Sequence, residues 1–188
     1  MVMQVREIIV RYCKFVGIIA LLVLSSPKLW ADDQAFVSLD PIPFFESGYH
    51  VHTGIDLSVM RYSVMTSESD RPLYTSKPAA GATATSKAVG LDIDYVGKKS
   101  EGFYGGPSFV RVRWVFNHPA AARKVRRDGD LIGLKLGYRY YFKPWFFVDG
   151  RISNYFNSGS KRDVKIAGTD NKISERYVFP FVEFGVSF

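Results

Sequence analysis

Hydrophobic and polar residues alternate with a period of two along six stretches of the chain. The segment Leu131 to Lys143 shows this most clearly, because every even position from Ile132 to Phe142 is apolar or aromatic. Alternation over about ten residues is typical of a β-strand with two different faces, whereas a helix would repeat every 3.6 residues. The other five stretches cover residues 49–59, 87–96, 108–117, 146–156 and 178–188. Each matches the ~9–11 residues that a tilted strand needs to cross a bilayer.

The connections between the predicted strands alternate in length. Residues 97–102 form a compact turn that begins and ends with glycine, and Lys143-Pro144 is shorter still. Three other connections, at residues 66–86, 118–130 and 157–174, are long and polar. Short turns at one end of a sheet and long loops at the other are typical of a bacterial outer-membrane barrel.

The two faces of the predicted strands differ in side-chain size as well as in polarity. The apolar face carries large residues such as Trp114, Tyr138 and Phe184, whereas the opposite face holds small ones such as Gly54 and Gly137. A narrow barrel has little room inside and unlimited lipid outside, so this arrangement favours an apolar face that contacts lipid. The alternative interpretation is a soluble sheet with these aromatic residues in its core.

The first 31 residues have the pattern of a secretory signal peptide. Basic residues precede the apolar run Phe15 to Leu24, and Ala31 offers a small residue at the cleavage position. The run is about half as long as the ~20 residues of a spanning helix. We therefore predict three parts: a signal peptide (1–31), a periplasmic N-terminal segment (32–47) and an outer-membrane β-barrel (48–188).

The composition argues against several other classes of protein. The 188 residues are 47% hydrophobic and 15% aromatic, but the mean hydropathy of −0.03 argues against a helical membrane protein. The single cysteine, Cys13, lies in the predicted signal peptide, so the exported chain is expected to have no disulfide. The signal peptide also carries four basic residues and one acidic residue, so the formal charge falls from +7 to +4. This charge gives little support to nucleic-acid binding.

These features resemble the small Gram-negative outer-membrane β-barrel families of the OmpA and opacity types. The resemblance is carried by the hairpin 134–146 and by the terminal Phe184-Gly-Val-Ser-Phe188. A last strand that ends in phenylalanine resembles the signal read by the barrel-assembly machinery, which points to Phe188. The resemblance implies an all-β, transmembrane, antiparallel up-and-down barrel of eight strands. Ala35–Leu39 is a candidate for one extra strand, whereas residues 66–86 show no alternating apolar face.

Charged residues on the inferred lumen face are balanced in number. Five are acidic and five are basic: Asp56, Asp92, Asp94, Asp149, Glu183, Arg111, Arg113, Lys135, Arg139 and Arg151. Charges in a confined interior must be paired, because an unmatched one costs several kcal/mol. We therefore predict an ion-pair core that plugs the barrel. A narrow gated pore through the same network is the alternative.

Candidate chemistry in the chain is sparse. His50 and His52 share a face with Asp56 and Ser58, and a His/Ser/acid set is able to catalyse acyl transfer. Some small barrels that trim lipid A use such residues, but their serine follows a histidine at a short spacing that is not found here. Two histidines without a third ligand are weak as a metal site. We predict no enzymatic activity, no cofactor and no metal, with lipid A modification as the less favoured alternative.

Basic residues of the predicted outer loops are candidates for polyanion binding. The set comprises Arg123, Lys124, Arg126, Arg127, Lys161 and Arg162, with Arg61 expected on the lipid face near the same rim. Such residues bind the phosphates of lipopolysaccharide or polyanions on a host surface, although solvated loops need no ligand. We predict a structural or surface-interaction protein whose partners are outer-membrane lipid, lipopolysaccharide and the barrel-assembly machinery. No nucleic-acid partner is expected, and adhesion to a host surface ligand is the alternative.

Overall fold

The computed structural model describes residues 34–41, 48–70, 82–97, 101–159 and 163–188. Eight strands form the main sheet: β1 (Gln34–Leu39), β2 (Tyr49–Leu57), β3 (Met60–Ser69), β4 (Thr83–Tyr95), β5 (Gly102–Asn117), β6 (Val125–Lys143), β7 (Phe146–Asn157) and β10 (Arg176–Ser187). Two short strands, β8 (Asp163–Ile166) and β9 (Thr169–Lys172), pair only with each other. In these ranges no helix is long and apolar enough to span a membrane. The predicted signal peptide lies outside the described residues.

The main sheet closes on itself. Consecutive strands from β1 to β7 pair antiparallel, β7 pairs with β10, and β10 pairs with β1. Val37, for example, is opposite Val186 on one side and Thr53 on the other. Closure gives each of the eight strands a paired neighbour on both sides, with β1 pairing to β10 over residues 184–187. The chain is therefore a closed, antiparallel, up-and-down β-barrel of eight strands, which confirms the architecture that the resemblance implied.

Two barrel strands differ from the sequence-based predictions. Gln34–Leu39 is a barrel strand, so the expected boundary at residue 48 is wrong: part of the predicted periplasmic segment closes the sheet. Met60–Ser69 is also a strand, although residues from Thr66 onward were expected to be a loop. The outer face of β3 carries Met60, Tyr62 and Val64 but continues with the polar residues Thr66 and Glu68. This strand therefore lacks the alternation that revealed the others.

The short turns and both described chain ends lie at the same end of the barrel. Residues 58–59 join β2 to β3, and residues 144–145 join β6 to β7. At this short-turn end, Ala35 and Phe188 exchange two backbone hydrogen bonds of 3.2 and 3.0 Å. The β5–β6 connection and the segment that contains β8 and β9 lie at the opposite, long-loop end. This is the asymmetry that the connector lengths predicted.

Large apolar side chains are exposed around the outside of the barrel. They include Tyr62, Leu91, Phe103, Phe109, Ile132, Leu134, Leu136, Tyr138, Tyr140, Ile152, Phe156, Val178, Val182 and Phe184. Phe103 is 75% exposed and Leu134 is 68% exposed, values that a soluble monomer does not tolerate over so wide a surface. The predicted outward faces of β4, β6, β7 and β10 agree with this surface. On β2 the agreement is partial, because Leu57 is exposed but Val51 is buried.

The predicted orientation of β5 is wrong. Val110, Val112, Trp114 and Phe116 were expected to contact lipid, but they are buried inside the barrel at 2% exposure or less. The arginines that alternate with them are consequently on the outer surface. The reason is that β5 extends to the long-loop end, where the outside of the barrel meets polar surroundings and the lumen is filled with apolar side chains.

The lumen has two layers of different chemistry. The layer near the long-loop end is apolar and contains Trp114, Phe116, Leu131, Tyr177 and Phe179. The β8–β9 segment closes this layer from above, because its buried residues pack into the same cluster; they are Val164, Ile166 and Ile173. The layer near the short-turn end is polar and holds most of the buried charges. Only this second layer corresponds to the predicted ion-pair core.

Glycines on the inner face make room for aromatic rings. A Cβ atom on Gly185 would clash with the ring of Phe147, and one on Gly137 would clash with Tyr104. Gly150 is on the outer face, where a Cβ atom would meet no other heavy atom within 4 Å.

We predict that Gly185→Val lowers the free energy of unfolding by about 1–3 kcal/mol, because the added methyl groups overpack the lumen. The matched control Gly150→Val should fold with near wild-type stability. Urea unfolding from lipid vesicles, followed by tryptophan fluorescence, measures both. Equal effects of the two substitutions would contradict the assignment of the inner and outer faces.

Candidate functional site

A cluster of buried charged side chains occupies the short-turn half of the lumen. Five carboxylates and four permanent cations belong to it: Asp56, Asp92, Asp94, Asp149, Glu183, Arg61, Lys135, Arg139 and Arg151. His50, His52 and Tyr104 lie among them and are buried as well. We call this set the charged core. It draws residues from β2 to β7 and from β10.

Arg61 and Asp56 form a bidentate pair in the charged core. They are opposite each other on β2 and β3, just before the short turn at residues 58–59. Arg61 Nε is 2.6 Å from Asp56 Oδ1, and Nη2 is 2.9 Å from Oδ2. The guanidinium also lies 4.8 Å from the ring centroid of Tyr104. Arg61 is only 2% exposed, so its predicted place on the lipid face is wrong.

Arg139 and Asp149 form a second pair beside the first. They are opposite each other on β6 and β7, and Arg139 Nε is 3.1 Å from Asp149 Oδ2. Arg139 Nη1 lies 3.7 Å from Asp56, so the two pairs share their charges. Tyr104 donates a hydrogen bond to Asp149. Phe147 packs under the guanidinium of Arg139, with 3.8 Å between the carbon Cζ and the ring centroid. Such stacking suits arginine, whose planar cation is weakly hydrated.

Lys135 is held between two aspartates of β4. Its Nζ atom is 2.7 Å from Asp92 Oδ2 and 2.8 Å from Asp94 Oδ2. The carboxylates of Asp92 and Asp94 repel each other, and the ammonium group of Lys135 between them offsets that repulsion. Ser108 of β5 donates a further hydrogen bond to Asp92.

Glu183 collects donors from three other strands. Arg151 Nη2 of β7 is 2.6 Å from its Oε1, and Ser38 of β1 donates to Oε2 over 2.7 Å. His52 Nδ1 of β2 is 2.8 Å from the same Oε1. The other ring nitrogen of His52, Nε2, is 3.0 Å from Asp92 Oδ2. His52 therefore joins the Glu183 group to the Asp92–Lys135 group across the lumen.

The charge balance of the lumen differs from the one that the sequence predicted. Arg111 and Arg113 were counted among the lumen cations, but their side chains are 67% and 59% exposed on the outer surface. With Arg61 added, four permanent cations face five carboxylates. His52 lies between two of these carboxylates, and both of its ring nitrogens are within hydrogen-bonding distance of a carboxylate oxygen.

His50, His52 and Glu183 also form a triplet with the donor types of a metal site. Their ligand atoms all lie within 4.8 Å of one another. However, Arg151 Nη2 lies 3.1 Å from His50 Nε2 and 3.1 Å from His52 Nδ1, in addition to its contact with Glu183. A metal ion bound by these three residues would face a buried guanidinium at short range. The geometry therefore favours an ion-pair cluster over a metal centre.

The His/Ser/acid set that the sequence suggested is not assembled. Asp56 is engaged by Arg61, and Ser58 lies in the exposed turn between β2 and β3. The described residues contain no hydrogen bond between Ser58 and either histidine. Among the described residues, Ser38 and Ser108 are the serines that donate to carboxylates of the charged core.

Outward-facing charges form a second polar site on strands β3 to β6, toward the long-loop end. Glu68, Lys87, Arg113 and Asp128 are successive neighbours across these four strands. Lys87 Nζ is 3.0 Å from Glu68 Oε1, and Arg113 Nε is 2.7 Å from Asp128 Oδ1. One step toward the short turns, Arg111 is 3.4 Å from Asp130. We call this set the outer charged patch. Its signal in the sequence was the Arg-x-Arg repeat, which the inverted orientation of β5 concealed.

The predicted loop residues are placed only in part. Arg123, Lys124 and Arg126 are exposed in or next to the β5–β6 connection, whereas Arg127 is half-buried and donates to the carbonyl of Arg126. Lys161 and Arg162 lie outside the described residues. Phe188, the proposed assembly signal, is exposed at the end of β10 and remains a prediction.

Comparisons with known proteins give the following similarities. The N-terminal β-barrel domain of Pseudomonas aeruginosa OprF is 14% identical with a TM-score of 0.48, over 83% of this chain and 95% of that one. Neisserial surface protein A (NspA) is 10% identical with a TM-score of 0.46, over 82% and 94%. A major outer membrane protein from Thermus thermophilus is 12% identical with a TM-score of 0.42, over 83% and 98%. No protein-family model and no curated protein matches the chain.

We predict that Glu183→Gln lowers the free energy of unfolding by about 3–5 kcal/mol, because it leaves Arg151 buried without its carboxylate. The matched control is Glu68→Gln, which removes a carboxylate of similar size from the Lys87 pair at the barrel surface. This control should change stability little. Urea titration in lipid vesicles compares the two variants. A Glu183→Gln variant as stable as the control would contradict the proposed role of the charged core.

Proposed function

We propose that the protein is a non-enzymatic outer-membrane β-barrel with a plugged lumen, which acts in a structural or surface-interaction role. The observation that carries this proposal is the contrast between the two surfaces of the closed sheet. Leucine, isoleucine and aromatic side chains cover the outside, whereas paired charges and hydrogen-bonded polar groups are inside.

A lipid environment accounts for this contrast. A closed barrel satisfies the backbone hydrogen bonds of all its strands internally, which is the condition for crossing a bilayer with strands. Aromatic residues gather near the short turn between β6 and β7, where Tyr140, Phe142, Trp145 and Phe146 form a chain of ring contacts. Such girdles are found where outer-membrane barrels meet the membrane interface. The predicted signal peptide supports export toward that membrane.

The filling of the lumen supports a structural role over a pore. The charged core occupies one layer, and fully buried Trp114, Phe116 and Leu131 occupy the other. An ion entering from the long-loop end would have to displace the apolar cluster under the β8–β9 segment. From the other end it would meet Arg61 and Arg139, which already hold Asp56 and Asp149.

The surface-interaction part of the proposal rests on the long-loop end. Outer-membrane barrels have short turns on the periplasmic side and long loops on the outside of the cell. The exposed basic residues Arg123, Lys124 and Arg126 lie at the long-loop end. Their charge suits anionic partners, either lipopolysaccharide or a polyanion on a host surface.

We expect the protein to fractionate with the outer membrane and to show a heat-dependent change in gel mobility, because a closed barrel resists unfolding by detergent until it is heated. N-terminal sequencing of the purified protein should begin at Asp32 if the signal peptide is removed after Ala31. Recovery in the soluble periplasmic fraction without a mobility shift would contradict the proposal.

We also expect no single-channel conductance when the folded protein is inserted into planar bilayers, because the two layers fill the lumen. The control is the same protein unfolded in urea, which reports any leak caused by the preparation. Discrete, reproducible conductance steps whose size changes in an Arg139→Gln variant would contradict the plug and favour the gated pore.

A further inference from the structure

The outer charged patch lies where the apolar surface of the barrel ends. Arg111 and Arg113 are nine and eleven residues beyond Gly102, the first residue of β5. At ~3.3 Å per residue and a strand tilt of ~40°, Arg111 and Arg113 lie about 23 and 28 Å from Gly102 along the barrel axis. The apolar band of such barrels is ~25 Å tall. The two arginines therefore reach the level of the outer-leaflet headgroups.

Apolar residues continue below the patch on the same strands. On β4 the outward positions after Lys87 are Val89 and Leu91, and on β5 Phe109 precedes Arg111. On β6 Ile132 follows Asp130. All four apolar residues are at least 44% exposed. A ligand that fits this surface has an anionic head and long acyl chains.

The cations of the patch keep hydrogen-bonding capacity for a ligand. Asp128 engages Nε and Nη2 of Arg113, so one guanidinium nitrogen is left over. Arg111 has a single, longer contact with Asp130. Arg126 is exposed on the same face of β6 and forms no ion pair with any residue in the described ranges. Exposed ion pairs of this kind are weak, so a phosphate can share or replace them at little cost.

The patch is confined to one side of the barrel. On β10 the outward positions from Val178 to Phe184 are apolar or proline, and Arg176 is the one outward cation of that strand. Arg176 lies over the ring of Phe156 and donates to Asn154 Oδ1 over 2.9 Å. It therefore offers an isolated cation of the same type for comparison.

From this geometry we propose that the β4–β6 wall binds one phosphorylated glycolipid of the outer leaflet, of the lipid A type. Arg111 and Arg113, assisted by Lys87 and Arg126, hold the phosphates, and Leu91, Phe109 and Ile132 contact the acyl chains. The site replaces Arg61, which the sequence suggested for this contact and which is buried. This inference rests on the proposed outer-membrane location.

The test compares lipid A that carries both phosphates with chemically dephosphorylated lipid A, each added to the purified protein in detergent micelles. Native mass spectrometry measures the bound fraction. We expect the double variant Arg111→Gln/Arg113→Gln to bind the phosphorylated lipid on the order of tenfold more weakly than wild type, because charge-assisted hydrogen bonds are lost. The control Lys143→Gln/Arg176→Gln, with the same loss of charge, should bind like wild type.

Three results would overturn the proposal. They are unchanged binding in the Arg111/Arg113 variant, equal binding of the dephosphorylated lipid by wild type, and an equal loss in the Lys143/Arg176 control. A variant of the β5–β6 connection, Arg123→Gln/Lys124→Gln, separates this site from the loop: a loss of binding at least as large as in the Arg111/Arg113 variant would assign the phosphates to the loop and overturn the proposal. Each protein is first checked for outer-membrane fractionation. Absence from that membrane refutes the proposed function, whereas correct fractionation with unchanged binding refutes this inference alone.

Discussion

The pairing of buried charges is the constraint on which the rest of the barrel depends. Five acidic residues, four basic residues and two histidines are buried together in one half of the lumen. None of these charges can be turned outward, because the outer surface at that level carries Leu134, Leu136 and Tyr138. Each charge therefore requires an opposite charge within reach, and those contacts determine which strands must be neighbours and in what register.

The charged core combines local and long-range links. Asp56 with Arg61, and Arg139 with Asp149, join strands that are consecutive in the chain and flank a short turn. Ser38 and His52, by contrast, contact Glu183 near the other end of the sequence, so they link β1 and β2 to β10 and help close the barrel. The apolar layer above the core adds burial but little specificity. The charged half of the lumen therefore specifies the register of the strands, and the apolar half closes the lumen.

Sequence alone predicted most of the sheet, because five strands place large apolar residues on one face and small or charged residues on the other. It gave β1, which has only six residues, as a candidate strand outside the barrel boundary, and it missed β3, whose outer face becomes polar beyond Val64. Alternation reports only that two faces differ and does not say which faces lipid. On β5 the apolar run from Val110 to Phe116 fills the lumen, and for that reason Arg111 and Arg113 were assigned to the wrong side.

The sequence predicted that paired charges fill the lumen, but it did not predict every residue that takes part. Asp92, Lys135, Arg139 and Glu183 lie in the core as expected, since each alternates with exposed apolar neighbours. Arg61 belongs to β3, which the pattern did not reveal, and the place of His52 between two carboxylates depends on contacts across the lumen. Such contacts follow from closure of the sheet and have no signature in the local sequence.

Spin-label scanning along β6 distinguishes a barrel with a lipid-facing exterior and a filled lumen from a soluble sheet. The predicted mature chain has no cysteine, so single cysteines can be introduced and labelled at successive positions from Leu131 to Tyr140 in the protein folded in lipid bilayers. We expect labels at even positions to be accessible to oxygen dissolved in lipid, and labels at odd positions to be shielded from both oxygen and a water-soluble nickel complex. Access of the nickel complex to the even positions, or the opposite alternation, would contradict a lipid-facing exterior around a plugged, charge-paired lumen.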